Sequence, residues 1–205
     1  MSGNRWLQKK AERSDHSEWY IERFRTMAAE GADLDGEARL IDAMASRGAR
    51  ILDAGCGPGR TGGYLHRAGH VVVGVDLDPV LIAAAEEDHP GPTWLVGDLS
   101  ELDLPARGIA EPFELIVSAG NVMTFLDPAT RRAVLAHLRA HLATSGRAVV
   151  GFGADRDYRF EEFFEDCAAA GLEVQQRYAT WELHPFDEQS TFLVAVLVHR
   201  GRPGS

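Results

Sequence analysis

Only two cysteines, Cys56 and Cys167, occur in the 205 residues, which excludes a disulfide framework and a paired metal-ligating knuckle. Lysine is almost missing: Lys9 and Lys10 are the whole complement, and the other Lys-or-Arg positions are all arginine. The 21 Lys and Arg face 31 Asp and Glu, leaving a formal net charge of -10. A protein that tracks a phosphate backbone needs clustered cations, so nucleic acid is not an expected partner, although a small nucleotide remains admissible. Long apolar runs are absent too. The longest, Phe192 to Val198, is far below the roughly twenty residues that span a bilayer. The opening segment, MSGNRWLQKKAERSDHSEW, has no apolar stretch of the signal-peptide kind. No membrane partner and a cytoplasmic location are the expectations. What the chain does have is 45% apolar residues, enough for one buried core, in a length that suits a single domain over 1–205.

Short apolar runs alternate with helical stretches. Ile51–Ala54, Val71–Val75, Thr93–Val96, Phe113–Val117 and Ala148–Phe152 read as strands covered on both faces, the pattern of a parallel sheet. Arg60–Ala68, Pro79–Asp88 and Pro128–Leu142 read as intervening helices, Pro79 opening the second and Gly146 following the third. That order predicts βαβ units and an open, doubly wound α/β sheet. After a helix at Phe160–Ala170, two strand-like stretches, Leu172–Leu183 and Ser190–Arg200, are separated only by His184-Pro185-Phe186-Asp187-Glu188-Gln189. The link is too short for a crossover helix, so these strands pair antiparallel and make the sheet mixed at one edge. Ser17–Ala29 and Gly36–Arg47 read as helices ahead of the first strand, placing residues 1–48 over the sheet or the mouth of its ligand site.

The most informative stretch is Ile51-Leu52-Asp53-Ala54-Gly55-Cys56-Gly57-Pro58-Gly59-Arg60, a strand running through alternate glycines into a helix. Glycine lets a ligand approach the backbone, and the helix start offers unpaired N–H groups. In an open α/β sheet the first such turn is where a ligand binds. Gly57-Pro58-Gly59-Arg60-Thr61-Gly62 formally satisfies the dinucleotide fingerprint, and Asp76 stands at a tolerable distance for a ribose contact. Against a dinucleotide, Asp53 would set its charge near a pyrophosphate; it suits a ligand with an amino group or another cation. Asp76 ends the second strand and can accept from two ribose hydroxyls. Asp98 ends the third, within reach of an exocyclic amine. A lone Asp after a strand is usually a turn former or cap; three in register with one glycine loop outline a cradle for an amino acid, a ribose and a purine.

These residues resemble the class I S-adenosylmethionine-dependent methyltransferases. Asp53-Ala54-Gly55-Cys56-Gly57-Pro58-Gly59 is similar to the family's first motif, Asp76 with Leu77 to its ribose-binding segment, and Gly97-Asp98-Leu99 to its adenine-contacting segment. Phe113 to Met123, with Ala119-Gly120-Asn121 at its end, resembles the fourth-strand motif beside the methyl-transfer site. Asp15 to Phe24 is similar to the cofactor-covering helix of small bacterial members of unassigned substrate. The resemblance implies the Rossmann-like methyltransferase fold: a mostly parallel seven-stranded sheet with an antiparallel C-terminal strand. It also implies S-adenosylmethionine as cofactor and S-adenosylhomocysteine as product. The expected activity is in-line methyl transfer to a small molecule, in a monomer or homodimer. A nicotinamide-dependent oxidoreductase and a non-catalytic S-adenosylmethionine-binding protein are the alternative readings.

Other side chains carry two readings each. Tyr20 and Arg23 lie three apart on one helix face and can close over the cofactor carboxylate, or simply face water. His16 and His184 are candidate bases, and Asn121 is either a ligand contact or a turn former. Met123 and Phe125 wall the ligand or pack the core. His137 and His141 have metal-like spacing without the accompanying glutamate, which favours solvated helix positions, and no metal is expected. Cys56 reads as packing. The acceptor is expected to enter between the N-terminal helices and the loop of His184 and Phe186, and the acidic balance makes an acidic acceptor the less expected kind.

Overall fold

The computed structural model describes residues 3–154 and 156–201. Seven strands form one sheet: β1 (Arg50–Ala54), β2 (Val71–Asp76), β3 (Thr93–Val96), β4 (Phe113–Ser118), β5 (Leu142–Gly153), β6 (Leu172–Tyr178) and β7 (Phe192–His199). Their order is β3-β2-β1-β4-β5-β7-β6. β1 pairs in parallel with both β2 and β4, whereas β7 runs antiparallel between β5 and β6. The chain therefore reverses its direction of winding between β1 and β4, the switch point where open α/β sheets bind ligands.

Strand alternation sends neighbouring residues to opposite faces. Ile51, Leu115, Val117 and Val149 face one layer, with Ala38 and Ile41 of α3 (Gly36–Met44) and Leu65 of α4 (Arg60–Arg67). Leu52, Ile116, Ala148 and Val150 face the other. There they meet Val134, Leu135 and Leu138 of α7 (Arg131–His141) and Phe163 of α8 (Phe160–Ala169). α5 (Pro79–Asp88) starts at Asp78, whose side chain accepts from the Val80 N–H, and the proline predicted for its first turn is in place.

Two helices lie beyond the sequence reading. α1 (Arg5–Glu12) begins at Asn4, whose side chain accepts from the N–H groups of Trp6 and Leu7. It precedes α2 (His16–Ala29). The short α6 (Val122–Phe125) follows Asn121, which takes a left-handed φ of 66°. The helix expected over Pro128–Leu142 begins instead with a 3₁₀ turn, Pro128–Thr130, capped by Asp127. The strand expected through Leu183 stops at Tyr178, because the chain turns back so that the Ala179 N–H meets the His184 carbonyl at 2.8 Å.

His137 and His141 are a correction. His141 is buried, accepts from the Leu104 N–H at 3.1 Å, and its Nδ1 lies 2.7 Å from the His137 carbonyl oxygen. His137 Nδ1 lies 3.2 Å from the Leu99 carbonyl oxygen. The pair fastens the segment after β3 to α7 and is not a solvated face.

Candidate active site

The carboxyl ends of β1, β2, β3 and β4 surround a cavity with about 900 Å³ of empty space, its open mouth included. That is within the range of small-molecule sites. Asp53, Gly55, Gly57, Asp76, Leu77, Gly97, Asp98 and Leu99 all line it, as do Ala119 and Gly120.

The glycine loop is held from below. The N–H groups of Gly55 and Cys56 both donate to the Val75 carbonyl, at 2.8 and 3.1 Å, tying the loop to β2. The Trp94 indole lies underneath, buried with Cys56, Ile82 and Ala85, and donates to the His89 carbonyl at 3.0 Å. A Cβ on Gly62 would come within 2.8 Å of that ring, and one on Gly59 within 2.7 Å of Ala85 and 3.0 Å of the ring. Gly59 also has a φ of +81°. These two glycines are demanded by the tryptophan and the turn, while Gly55 and Gly57 face the cavity. Burial pushes the Cys56 thiol up, so it remains a packing group.

Asp53 is 2% exposed, and its Oδ2 accepts from the Gly62 N–H at 2.9 Å. Burial pushes its carboxyl up to about 7, against the pull of that N–H and of Arg60. Asp76 accepts from the N–H groups of Gly57 and Asp78, each at 2.9 Å. Burial raises it to about 6 in spite of those bonds. Two carboxylates whose charge is undercompensated thus face one cavity. A ligand with cationic and hydroxyl groups would favour their ionised forms. Asp98 accepts from the Ser100 N–H at 2.8 Å, so it is a cap as well as a lining residue.

A cap closes the other side. Trp6 of α1 and Tyr20 and Phe24 of α2 line the cavity. Trp6 Nε1 donates to Asp78 at 2.7 Å, Ser17 Oγ at 2.5 Å and Lys10 Nζ at 2.8 Å. Asp78 is 1% exposed. Burial alone would raise its carboxyl, but the bonds from Lys10, Ser17, Trp6 and Val80 overturn that and hold it below the usual range.

The remaining candidates separate. Arg23 and Asn121 line not this cavity but an adjoining vestibule, together with His16. Asn121 is the turn former: its Oδ1 accepts from the Gly153 N–H at 2.8 Å, joining the end of β4 to β5. Ala54 is fully buried beneath the loop. Met123 belongs to the core and Phe125 to the cavity wall. His184 is exposed on its turn, and Phe186 packs edge-on against Phe160 at 5.6 Å, so the vestibule opens beside α1 and α2 without them. Trp6, Phe24, Arg60 and Val122 were not singled out from the sequence. A tryptophan in the mostly polar Arg5–Glu12 stretch, just after a good N-cap, is the signal that could have marked the cap.

Comparison with known proteins agrees with this geometry. Residues 51–146 match the family model for the methyltransferase domain. The crystal structure of a TehB-like S-adenosylmethionine-dependent methyltransferase from Corynebacterium glutamicum is 52% identical. It aligns over 92% of this chain and 100% of that one, with a TM-score of 0.86. The S-adenosylmethionine-bound CalS10, an amino pentose methyltransferase from Micromonospora echinaspora, shares the fold at 21% identity and a TM-score of 0.66, over 85% of this chain and 95% of its own. A malonyl-[acyl-carrier protein] O-methyltransferase from Pectobacterium atrosepticum is 39% identical over 69 residues, 34% of this chain and 27% of that protein. The chain spans half or less of the length of the curated relatives it matches. The chain belongs to the S-adenosylmethionine-dependent methyltransferases, an enzyme family whose cofactor decides between the ligand classes the glycine loop alone left open.

Proposed function

We propose that this methyltransferase acts on a small-molecule acceptor entering through the vestibule between the N-terminal helices and the β4–α6 turn. The observation that carries the reading is continuity: the vestibule and the cofactor cavity share Trp6, Tyr20, Phe24, Arg60, Gly120 and Phe125 as common walls. An acceptor in the first is adjacent to a cofactor in the second.

S-Adenosylmethionine, when bound, supplies a methyl group on a sulfonium. The chain's part is to hold and align. Asp76 would accept from the ribose hydroxyls and Asp53 would face the ammonium, while the N–H groups around Gly55 and Gly57 would meet the carboxylate. Gly97, Asp98 and Leu99 would border the adenine. The cap over Trp6 and Tyr20 excludes water, and positioning of this kind contributes effective molarities of about 10⁵ M or more. His16 is the histidine that reaches the vestibule, between Trp6 at 4.9 Å and Trp19 at 5.5 Å. Burial first, then Lys9 and Arg13, lower its pKa, which favours the neutral imidazole, the form that can take up a proton from an acceptor that must lose one.

The test is incubation with methyl-labelled S-adenosylmethionine and a cell extract, followed by separation by size. Label is expected in a small-molecule product that chromatography of the filtrate separates from unreacted S-adenosylmethionine and that extract without the protein does not form. Label retained on protein or RNA would overturn the small-molecule reading.

A further inference from the structure

The vestibule's charges have a sign opposite to the chain as a whole. It is a cleft of about 1140 Å³, open solvent included, and its acidic side chains are Asp33 and Glu37. Both are occupied. Asp33 is held by two bonds of 2.7 Å from Arg39, which with the Asp35 N–H bring its carboxyl down to about 2. Glu37 is gripped by Arg60 at 3.0 and 3.1 Å, both side chains mostly buried. Arg60 is thereby spent as well. Lys9, Arg23 and Arg156 also line the cleft, and none has a carboxylate partner among the described residues. Arg23 is instead held at 5.9 Å from the rings of both Trp19 and Phe24.

The second feature is aromatic surface. Trp19, Tyr20, Phe24 and Phe125 stand in the same wall, and Trp19 remains 41% exposed at the rim. A large exposed aromatic beside a ligand cavity, flanked by unpaired cations, offers contact area and charge together. In a chain with a net charge of -10, three exposed cations without carboxylate partners line this one cleft and give it a local field opposite to that of the whole.

We propose that the vestibule binds the methyl acceptor as a planar aromatic acid, its ring against the aromatic wall and its anionic group against Lys9, Arg23 and Arg156. The proposal rests on the small-molecule reading above and adds the substrate class.

Matched fragments test it on the protein loaded with S-adenosylhomocysteine, with binding read by ligand-observed NMR titration. Benzoate is expected to bind at least about tenfold more tightly than benzamide, benzylammonium or acetate, a difference of about 1.4 kcal/mol. Arg23→Gln and Lys9→Gln should each cut the benzoate-over-benzamide preference several-fold while calorimetric affinity for S-adenosylhomocysteine stays at the wild-type value. That second readout also reports that each variant is folded. Equal binding of benzoate and benzamide, preference for benzylammonium, or no benzoate binding at tens of millimolar would overturn the anionic assignment. Acetate as tight as benzoate would overturn the aromatic one. Label on macromolecules in the extract experiment would instead sink the small-molecule reading beneath it.

Discussion

The two walls of the cofactor cavity are held by different physics. On the sheet side, the glycine loop is pinned to β2 by the Val75 carbonyl and pressed onto the buried Trp94 ring, so its shape is fixed by packing. On the cap side, Trp6 and Ile21 pack on Leu81 and Ala84 and Arg25 pairs with Glu87 and Asp88 at the surface, but the buried polar anchor is one carboxylate, Asp78, which gathers Trp6, Lys10 and Ser17. Packed contact is dense and short-ranged, and it resists displacement at many points. A polar anchor concentrates the docking in a few directional bonds that open together. The difference leaves the loop as the fixed wall, with its N–H groups in one geometry, and the cap as the wall that is easier to displace.

The largest effect is expected on the sheet side. Asp76 organises the loop through Gly57 and Asp78 and faces the cavity. Asp76→Ala removes a charged acceptor whose hydrogen bonds are worth about 1.5–3 kcal/mol each. Calorimetric affinity for S-adenosylhomocysteine should therefore fall about 100-fold or more. Wild-type affinity in this variant would remove the ribose assignment and with it the idea that the sheet wall dominates binding.

The next effect is a pH dependence. Asp53 and Asp76 have folded pKa values of about 7 and about 6, above the ordinary carboxylate value of 3.8. The folded, ligand-free protein then binds more protons than the unfolded chain between about pH 4 and 7, so their contribution to stability is lost as pH rises through that window. For Asp53 alone, going from pH 5.5 to 7.5 costs roughly 2 kcal/mol. A cationic ligand group reverses the preference, so cofactor affinity should fall up to about tenfold per pH unit below 7. Calorimetry across this range, in wild type and Asp53→Asn, checks both signs. A wild-type affinity that does not change with pH would show that Asp53 does not face the ligand's cation.

The sheet wall was legible because its signals are local. Asp53, Asp76 and Asp98 each end an apolar run, and the order of strands and helices follows from periods of two and 3.6 residues. What the sequence did not disclose was why Gly59 and Gly62 are glycine, since Trp94 lies more than thirty positions away. The cap was half legible. α2 was expected at nearly its observed bounds, but α1 was not, and Arg23 turned from the cofactor cavity toward the vestibule. Nor does net charge forecast the vestibule's sign, which depends on which acids Arg39 and Arg60 happen to neutralise. Contacts between residues 61 to 72 positions apart, as at Asp78, leave no periodic trace.

The smallest effect sharpens the contrast most directly. Asp78→Asn keeps the side chain's size and its capping oxygen for Val80, but removes the charge that Lys10, Ser17 and Trp6 converge on. Weakening one buried, charge-assisted anchor should shift the cap equilibrium by about 1–2 kcal/mol. Trp6, which is 7% exposed, packs edge-on against Tyr20 at 5.3 Å and Phe125 at 5.9 Å, so these contacts hold the cap beside the anchor. Stopped-flow displacement of S-adenosylhomocysteine is expected to show dissociation about tenfold faster, with amide exchange speeding up across α1 and α2 and unchanged in β1 and β2. If exchange rose equally in cap and sheet, the two walls would be one cooperative unit, and Asp78 would be an ordinary core residue of it. If neither changed, the aromatic contacts of Trp6 would be sufficient to hold the cap, and its docking would be governed by packing like the loop opposite.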